Sequence, residues 1–446
     1  MQKILLFIAS LFYFNFLFSK NEIKSWQGIH ETPLSRLEQQ FAEPPVEFAN
    51  HVIWGWEGKM DKKTICNDLD SIKKKGFRAV IFEAGYKLPF KYLSEEWFKA
   101  IRTGVVEAKK RDMKVWIIDE GKYPSGFAGG KFSQERPDLR MQALVIGDTI
   151  QIKRGEVMTN HKIAPEIISA VAVSTSGAPN RTVEINNGKI SFNAGLDDWK
   201  ILLVKSDFRT AVTRAVNNPN GGKDATNSLC DYLNPVAVQQ FIDWTHKQYK
   251  KYLGKELGTT VLGFRGDEPD YAHLPWTPSI VQTFKDTKGY DPTPYLASFF
   301  TASPTIQEQR VKADYWDVWS SLFATHFFKL QADWCAANGV AHITHLNKEH
   351  EMPACVKAEG DYFRALSKVQ IPGVDAIWNQ IWPSTLNDFP KLASSVAHVY
   401  GKPRAFSESF AAYHISPTIP QAKFVVDHQI ARGINFFEFM FWLAGS

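Results

Sequence analysis

Two glutamates, Glu268 and Glu408, stand where strand-like sequence stops. Glu268 falls in VLGFRGDEP at 261–269, and Glu408 in PRAFSES at 403–409. In each, a run of about five strand-like residues gives way to a carboxylate flanked by turn-prone Gly, Pro or Ser. Two carboxylates at one end of a barrel suffice for general acid/base cleavage of a glycosidic bond. Pro269 stiffens the turn that aims Glu268.

Other polar residues fall at comparable strand ends: Glu57, Glu83, Asp119, Glu120, Asp267, His345, Asn347, Trp378, Asn379 and Glu438. Carboxylates at this density are costly to desolvate without a ligand or chemistry to justify them. Glu268 and Glu408 are therefore the catalytic candidates, and Asp119, Glu120, Glu83, Asp267, His345, Asn347 and Trp378 the candidate substrate ligands. The plain alternative is that such acids cap helices or meet a lysine. A hard cation such as calcium would let several stay ionised together, with oxygen-bearing side chains as its ligands. The sequence does not say which side chains those are. His342, His345 and His350 lack the HExxH pattern of a zinc enzyme, and the first two alternate onto opposite faces of a strand. FAGG at 127–130 lacks the Lys-Ser/Thr of a phosphate-binding loop and reads as a shaped loop over a sugar pocket.

The elements that must position these residues alternate between strand and helix, as parallel βα units do. Strand-like runs at 51–58, 77–85, 113–121, 261–269, 340–347, 374–378, 403–409 and 434–441 are interleaved with helical stretches at 61–76, 94–112, 233–254, 311–338 and 387–400. The expected fold is an α/β (β/α)8 TIM barrel. Residues 141–206 break the rhythm with alternating apolar and polar residues between Gly, Asn and Ser turns. They read as a small antiparallel β module inserted after the third strand. The expected division is 1–19 signal peptide, 20–140 first part of the barrel, 141–206 insert and 207–446 the rest, with the C-terminus truncated before an eighth helix.

A chain of 446 residues with 44% hydrophobic content can bury a large core. Its net charge of +5, with no basic run, gives no footprint for nucleic acid. Its 14 Trp and 14 Tyr suit the apolar faces of sugar rings, so a carbohydrate is the expected partner. At the N-terminus a lysine, the apolar run Ile4 to Phe14 and a small residue at Ser19 form a secretory signal too short for a membrane span. A periplasmic or secreted location follows. The four cysteines lack metal-ligand spacing; Cys66 and Cys335 sit in helix-like stretches as small hydrophobes.

WIIDEGKYPSGFAGG at 116–130, the 231–254 stretch, FRGDEP at 264–269, IPGVDAIWNQIWP at 371–383 and FSESF at 406–410 together resemble glycoside hydrolase family 106, the α-L-rhamnosidases. The resemblance runs from about Val52 to Phe441. It implies an inverting, exo-acting α-L-rhamnosidase, with Glu268 matching the general acid, Glu408 the general base, and calcium near the sugar hydroxyls. Two departures stand out: Arg265-Gly266 precedes Asp267 where another polar ligand is expected, and the β-sandwich domains usual after the barrel are absent from this sequence. A retaining β-galactosidase-like barrel and a non-catalytic glycan-binding barrel are the alternatives.

Overall fold

The computed structural model describes residues 32–443 except 122, 211–212, 215–222, 225, 272–273, 386 and 414–416. The expected leader at 1–19 lies outside the described residues, as do 444–446. Eight parallel strands close a barrel: β1 (His51–Trp56), β2 (Ala79–Ala84), β3 (Lys114–Ile118), β4 (Val261–Gly266), β5 (Ala341–Thr344), β6 (Ile371–Ala376), β7 (Phe406–Ser409) and β8 (Phe436–Leu443). Closure comes from β1 pairing with β8, His51 opposite Glu438. Among the described residues no helix is long and apolar enough to cross a membrane.

Local chemistry explains the elements. The helix Lys62–Lys74 is capped by Asp61, whose side chain accepts the Thr64 N–H, and Glu95–Lys110 by Ser94, which accepts that of Trp97. The second begins with Glu95 and Glu96 and ends with Lys109 and Lys110, matching the helix dipole. Inside the barrel Ile53, Ile81, Trp116, Ile118, Leu262, Ile343, Ile371, Phe406 and Phe436 fill the lower layers. The inward period of two then carries Phe406 on to Glu408 and Phe436 on to Glu438.

Strand β4 departs from that period. Leu262 packs in the interior and Arg265, three residues on, meets interior carboxylates, so an irregularity must lie between them. The pairing of β4 with β3 shifts register between Val261 and Gly263. Gly263 makes the shift possible, since a Cβ there would stand 2.1 Å from the Ala341 carbonyl oxygen.

Three expected boundaries are corrected. The stretch 233–254 is two helices, Pro235–Trp244 and His246–Leu253, separated at Thr245 with φ −112° and ψ −85°. Strand β6 begins at Ile371, three residues before its expected start, because Pro372-Gly373 sits within the strand. The expected helix at 311–338 starts at Ile306 and changes winding at Phe323–Phe328 before ending at Ala337.

Between β3 and β4 the chain forms antiparallel strands, of which Gln142–Ile152, Ile167–Ser174 and Trp199–Phe208 are the longest. Their sheet also takes in Pro275–Trp276, from beyond β4. One face, with Leu144, Val171, Leu202 and Val204, merges with the large core around Tyr232 and Trp319. The other, with Ala170, Ala172, Ile201 and Leu203, closes over Phe192 and Trp199.

Candidate active site

Glu268 leaves β4 two residues past its end, and Glu408 lies within β7. Each comes within 4.8 Å of His345, just beyond β5, in two groups that share its imidazole: Asp267, His345 and Glu408, and Glu268, His345 and Asp375. Asp375 of β6 is directly opposite Glu408, and Glu408 opposite Glu438 of β8.

Arg265 is the hub of this cluster. It is fully buried, with Nη1 2.7 Å from Asp267 Oδ2 and Nε 3.1 Å from Glu438 Oε2, while Nη2 pairs with Glu408 Oε2. Burial opposes its charge, and the carboxylates of Asp267, Glu408 and Glu438 outweigh that opposition. The same balance holds Asp267 below the usual carboxylate range: burial works against its charge, and Arg265 and His345 overcome it.

His345 has two partners of opposite kind. Its Nδ1 lies 2.8 Å from the Leu346 carbonyl, an acceptor only, so Nδ1 carries a proton. Its Nε2 is 2.9 Å from Arg265 Nη2 and 3.3 Å from Glu408 Oε2. A proton on Nε2 serves the carboxylates, and a lone pair there serves Arg265. Burial pushes the imidazole toward neutrality, but Asp267 and Glu408 outweigh it and raise its pKa well above the ordinary value.

Glu268 is tuned the other way. Burial first, and the neighbouring Asp267 charge second, push its carboxyl up to about 7, and it hydrogen-bonds the carboxyl of Asp375. Asp375 is itself raised well above its normal range by burial and by Glu408. Glu438 is pushed up to about 7 by burial against the pull of Arg265.

The backbone at this end is strained. Non-glycine residues with positive φ follow four successive strands: Glu268 (38°) after β4, Lys348 (65°) after β5, Trp378 (54°) and Asn379 (56°) after β6, and Phe410 (75°) and Ala412 (51°) after β7. Such conformations collect at functional sites.

The remaining candidates take distinct places. Asp119 is buried and accepts from Ser125 Oγ at 2.6 Å; that Oγ also accepts the Asp267 N–H at 2.7 Å, coupling β3 to β4. Glu120 does not face a sugar freely. Its oxygens accept backbone N–H groups from Gly121 (2.7 Å), Ala128 (2.5 Å) and Gly129 (3.0 Å), so FAGG cradles a carboxylate of its own chain. Gly129 and Gly130 have φ of 62° and 88°, and a Cβ on them would press on Tyr92 and Asn227. Glu83 is buried near the end of β2. Asn347 gives its backbone N–H to Glu359 and its amide to Asp270. Trp378 is 54% exposed, and its N–H bonds Ala411 O across the loops that follow β6 and β7.

Sequence reasoning missed Asp375 and the central role of Arg265, although both lie within the quoted runs. Asp375 was detectable, two residues beyond Gly373 on the inward phase. Arg265 was not, because the irregularity at Gly263 reverses its face.

A parallel barrel whose strand ends gather a raised carboxyl and an arginine-paired carboxyl has the architecture of barrel glycoside hydrolases. The chain belongs to glycoside hydrolase family 106, alpha-L-rhamnosidase, whose family model matches residues 159–441. A solved rhamnosidase from Novosphingobium sp. PP1Y is similar in fold, with a TM-score of 0.69 at 15% identity over 93% of this chain and 56% of that one. A Formosa agariphila protein with the provisional name beta-glucuronidase is 23% identical over 91% of this chain. The chain spans 38% of the length of that relative.

Proposed function

We propose that this barrel is the catalytic part of an exported glycosidase that removes terminal α-L-rhamnose from glycans with inversion. Family membership supports the reaction class and the sugar. The observation that carries the residue roles is the contrast between the two carboxyls: Glu268 is raised to about 7 by burial and Asp267, whereas Glu408 is paired to Arg265. Glu268 delivers a proton to the departing glycosidic oxygen, and Glu408 takes one from a water attacking the opposite face. Trp378 offers an exposed indole at the rim for a sugar ring.

The calcium implied by the family does not fit the donors gathered here. Each His345-centred group supplies two carboxylates and an imidazole, whereas Ca²⁺ takes six to eight oxygens. Arg265 already pairs with three of the acids, Asp267, Glu408 and Glu438. No step is assigned to the ion.

The test is a screen of aryl glycosides with NMR of the first-formed sugar. We expect turnover of aryl α-L-rhamnoside with β-L-rhamnose appearing first; α-L-rhamnose appearing first would make the enzyme retaining. Aryl β-D-glucuronide belongs in the same screen because of the Formosa relative's name. Turnover of that substrate alone would move the sugar assignment, and no turnover of any glycoside would leave a glycan-binding barrel.

A further inference from the structure

We propose that His246, Cys335 and His342 form a buried site for one borderline-soft transition-metal ion, for which Zn²⁺ is the probe, on the outside of the barrel wall. His342 lies in β5 opposite Phe264 of β4, His246 opens the helix His246–Leu253, and Cys335 lies in the helix Lys329–Ala337. Their ligand atoms lie within 4.8 Å of one another, and no residue of the three is more than 1% exposed.

The hydrogen bonding around His246 shows which nitrogen is available. Thr245 Oγ1 donates to the Phe241 carbonyl at 2.7 Å, so at its 2.9 Å contact with His246 Nδ1 it can only accept. Nδ1 therefore carries the proton and Nε2 the lone pair, and that Nε2 has no partner. An acceptor that takes the other ring N–H and fixes the imidazole tautomer is the usual companion of a metal-bound histidine, and the Thr245 hydroxyl fills that role here. His342 is more exceptional: both of its ring nitrogens are buried without a partner. Folding leaves such atoms unsatisfied only at a free-energy cost, which a ligand would remove.

The surroundings suit such an ion. The rings of Phe264 and Trp334 pack against His246 at 4.2 and 5.3 Å between centroids, forming an apolar wall. Two imidazoles and a thiol are soft to borderline donors, which favour Zn²⁺ over Ca²⁺ or Mg²⁺. Gln331, one helical turn before Cys335 on the same helix face, also has a buried, unpartnered Oε1. On binding, Cys335 Sγ–H loses its proton to solvent, an S–M bond forms and no electron moves.

The site is sealed, so the ion enters as the chain folds. The experiment is to unfold the full chain in chelator, refold it with equimolar Zn²⁺ or Co²⁺, desalt it and measure metal by elemental analysis. We expect about one ion per chain and, with Co²⁺, a thiolate-to-metal charge-transfer band. Cys335→Ser and His342→Gln should lower retained metal at least tenfold and abolish the band. A natively folded unmutated chain that keeps no metal and shows no band overturns the proposal, whether or not the variants fold. Equal retention by Cys335→Ser also overturns it.

Discussion

Glu268 and Glu408 differ in what each carboxyl touches, and that difference sets the expected pH behaviour. The proton on Glu268 is lost near pH 7, so turnover should fall as pH rises through that value. Asp267 is the second cause of the upward shift, so Asp267→Asn should move the alkaline limb of kcat/KM to lower pH. An unmoved limb would assign the titration to another group. Glu268→Gln and Glu408→Gln should each lower turnover of an unactivated substrate by about 10²–10⁴-fold, with the Glu268 variant less affected on an aryl substrate with a good leaving group. Near-wild-type rates in either variant would remove that residue from the reaction. On the proposed reading the acids are served by Arg265 and no ion takes part, so exhaustive chelation should leave turnover within about twofold; a loss restored by added Ca²⁺ would return the ion to the site.

Among the elements, the loop after β3 is organised around Glu120. Glu120→Gln replaces one accepting oxygen with an NH₂ that faces backbone donors. It should cost about 1–3 kcal/mol of stability and speed amide exchange at 121–130, readable by denaturation and mass spectrometry. Unchanged exchange would mean that Tyr92 and Asn227 shape the loop without the carboxylate. This element also marks how far the sequence was legible. The strands announced themselves because each is a short apolar run ending in a turn, and the alternation from Phe406 puts Glu408 on the inward face without further information. The break at Thr245 is unmarked by Gly or Pro, and Pro372-Gly373 is turn chemistry that the closed barrel draws into a strand. Pro275–Trp276 is too short to carry a period, so its place in the antiparallel sheet depends on contacts distant in sequence.

For the molecule as a whole, the buried acids shape the stability profile. Among the described residues Asp119, Glu120, Asp231, Glu268, Asp270, Glu349, Glu359, Asp375 and Glu438 all have raised pKa values, with burial the first cause in each. The folded chain holds these protons at pH values where the unfolded chain has released them, so their contribution falls as pH rises from about 4.5 through 7 to 8. Buried His51, His246 and His342 act oppositely, since their lowered values remove stability as pH falls below 6.5. The acids outnumber them, and the melting temperature should decline between about pH 5 and pH 8. A rising profile across that range would mean that a bound cation keeps the acids ionised.

The left-handed residues that follow β4 to β7 carry a consequence for engineering. An L-residue at positive φ costs of order 1–3 kcal/mol, which glycine largely avoids. Lys348→Gly should therefore raise the unfolding free energy by up to about 1 kcal/mol and leave turnover intact. At Glu268 the same exchange also removes a half-buried carboxyl, so Glu268→Gly should produce a tougher protein that is catalytically dead. At Glu268, unlike Lys348, heat tolerance and catalysis thus compete for the same peptide unit, and a selection for thermal robustness alone would erode that residue.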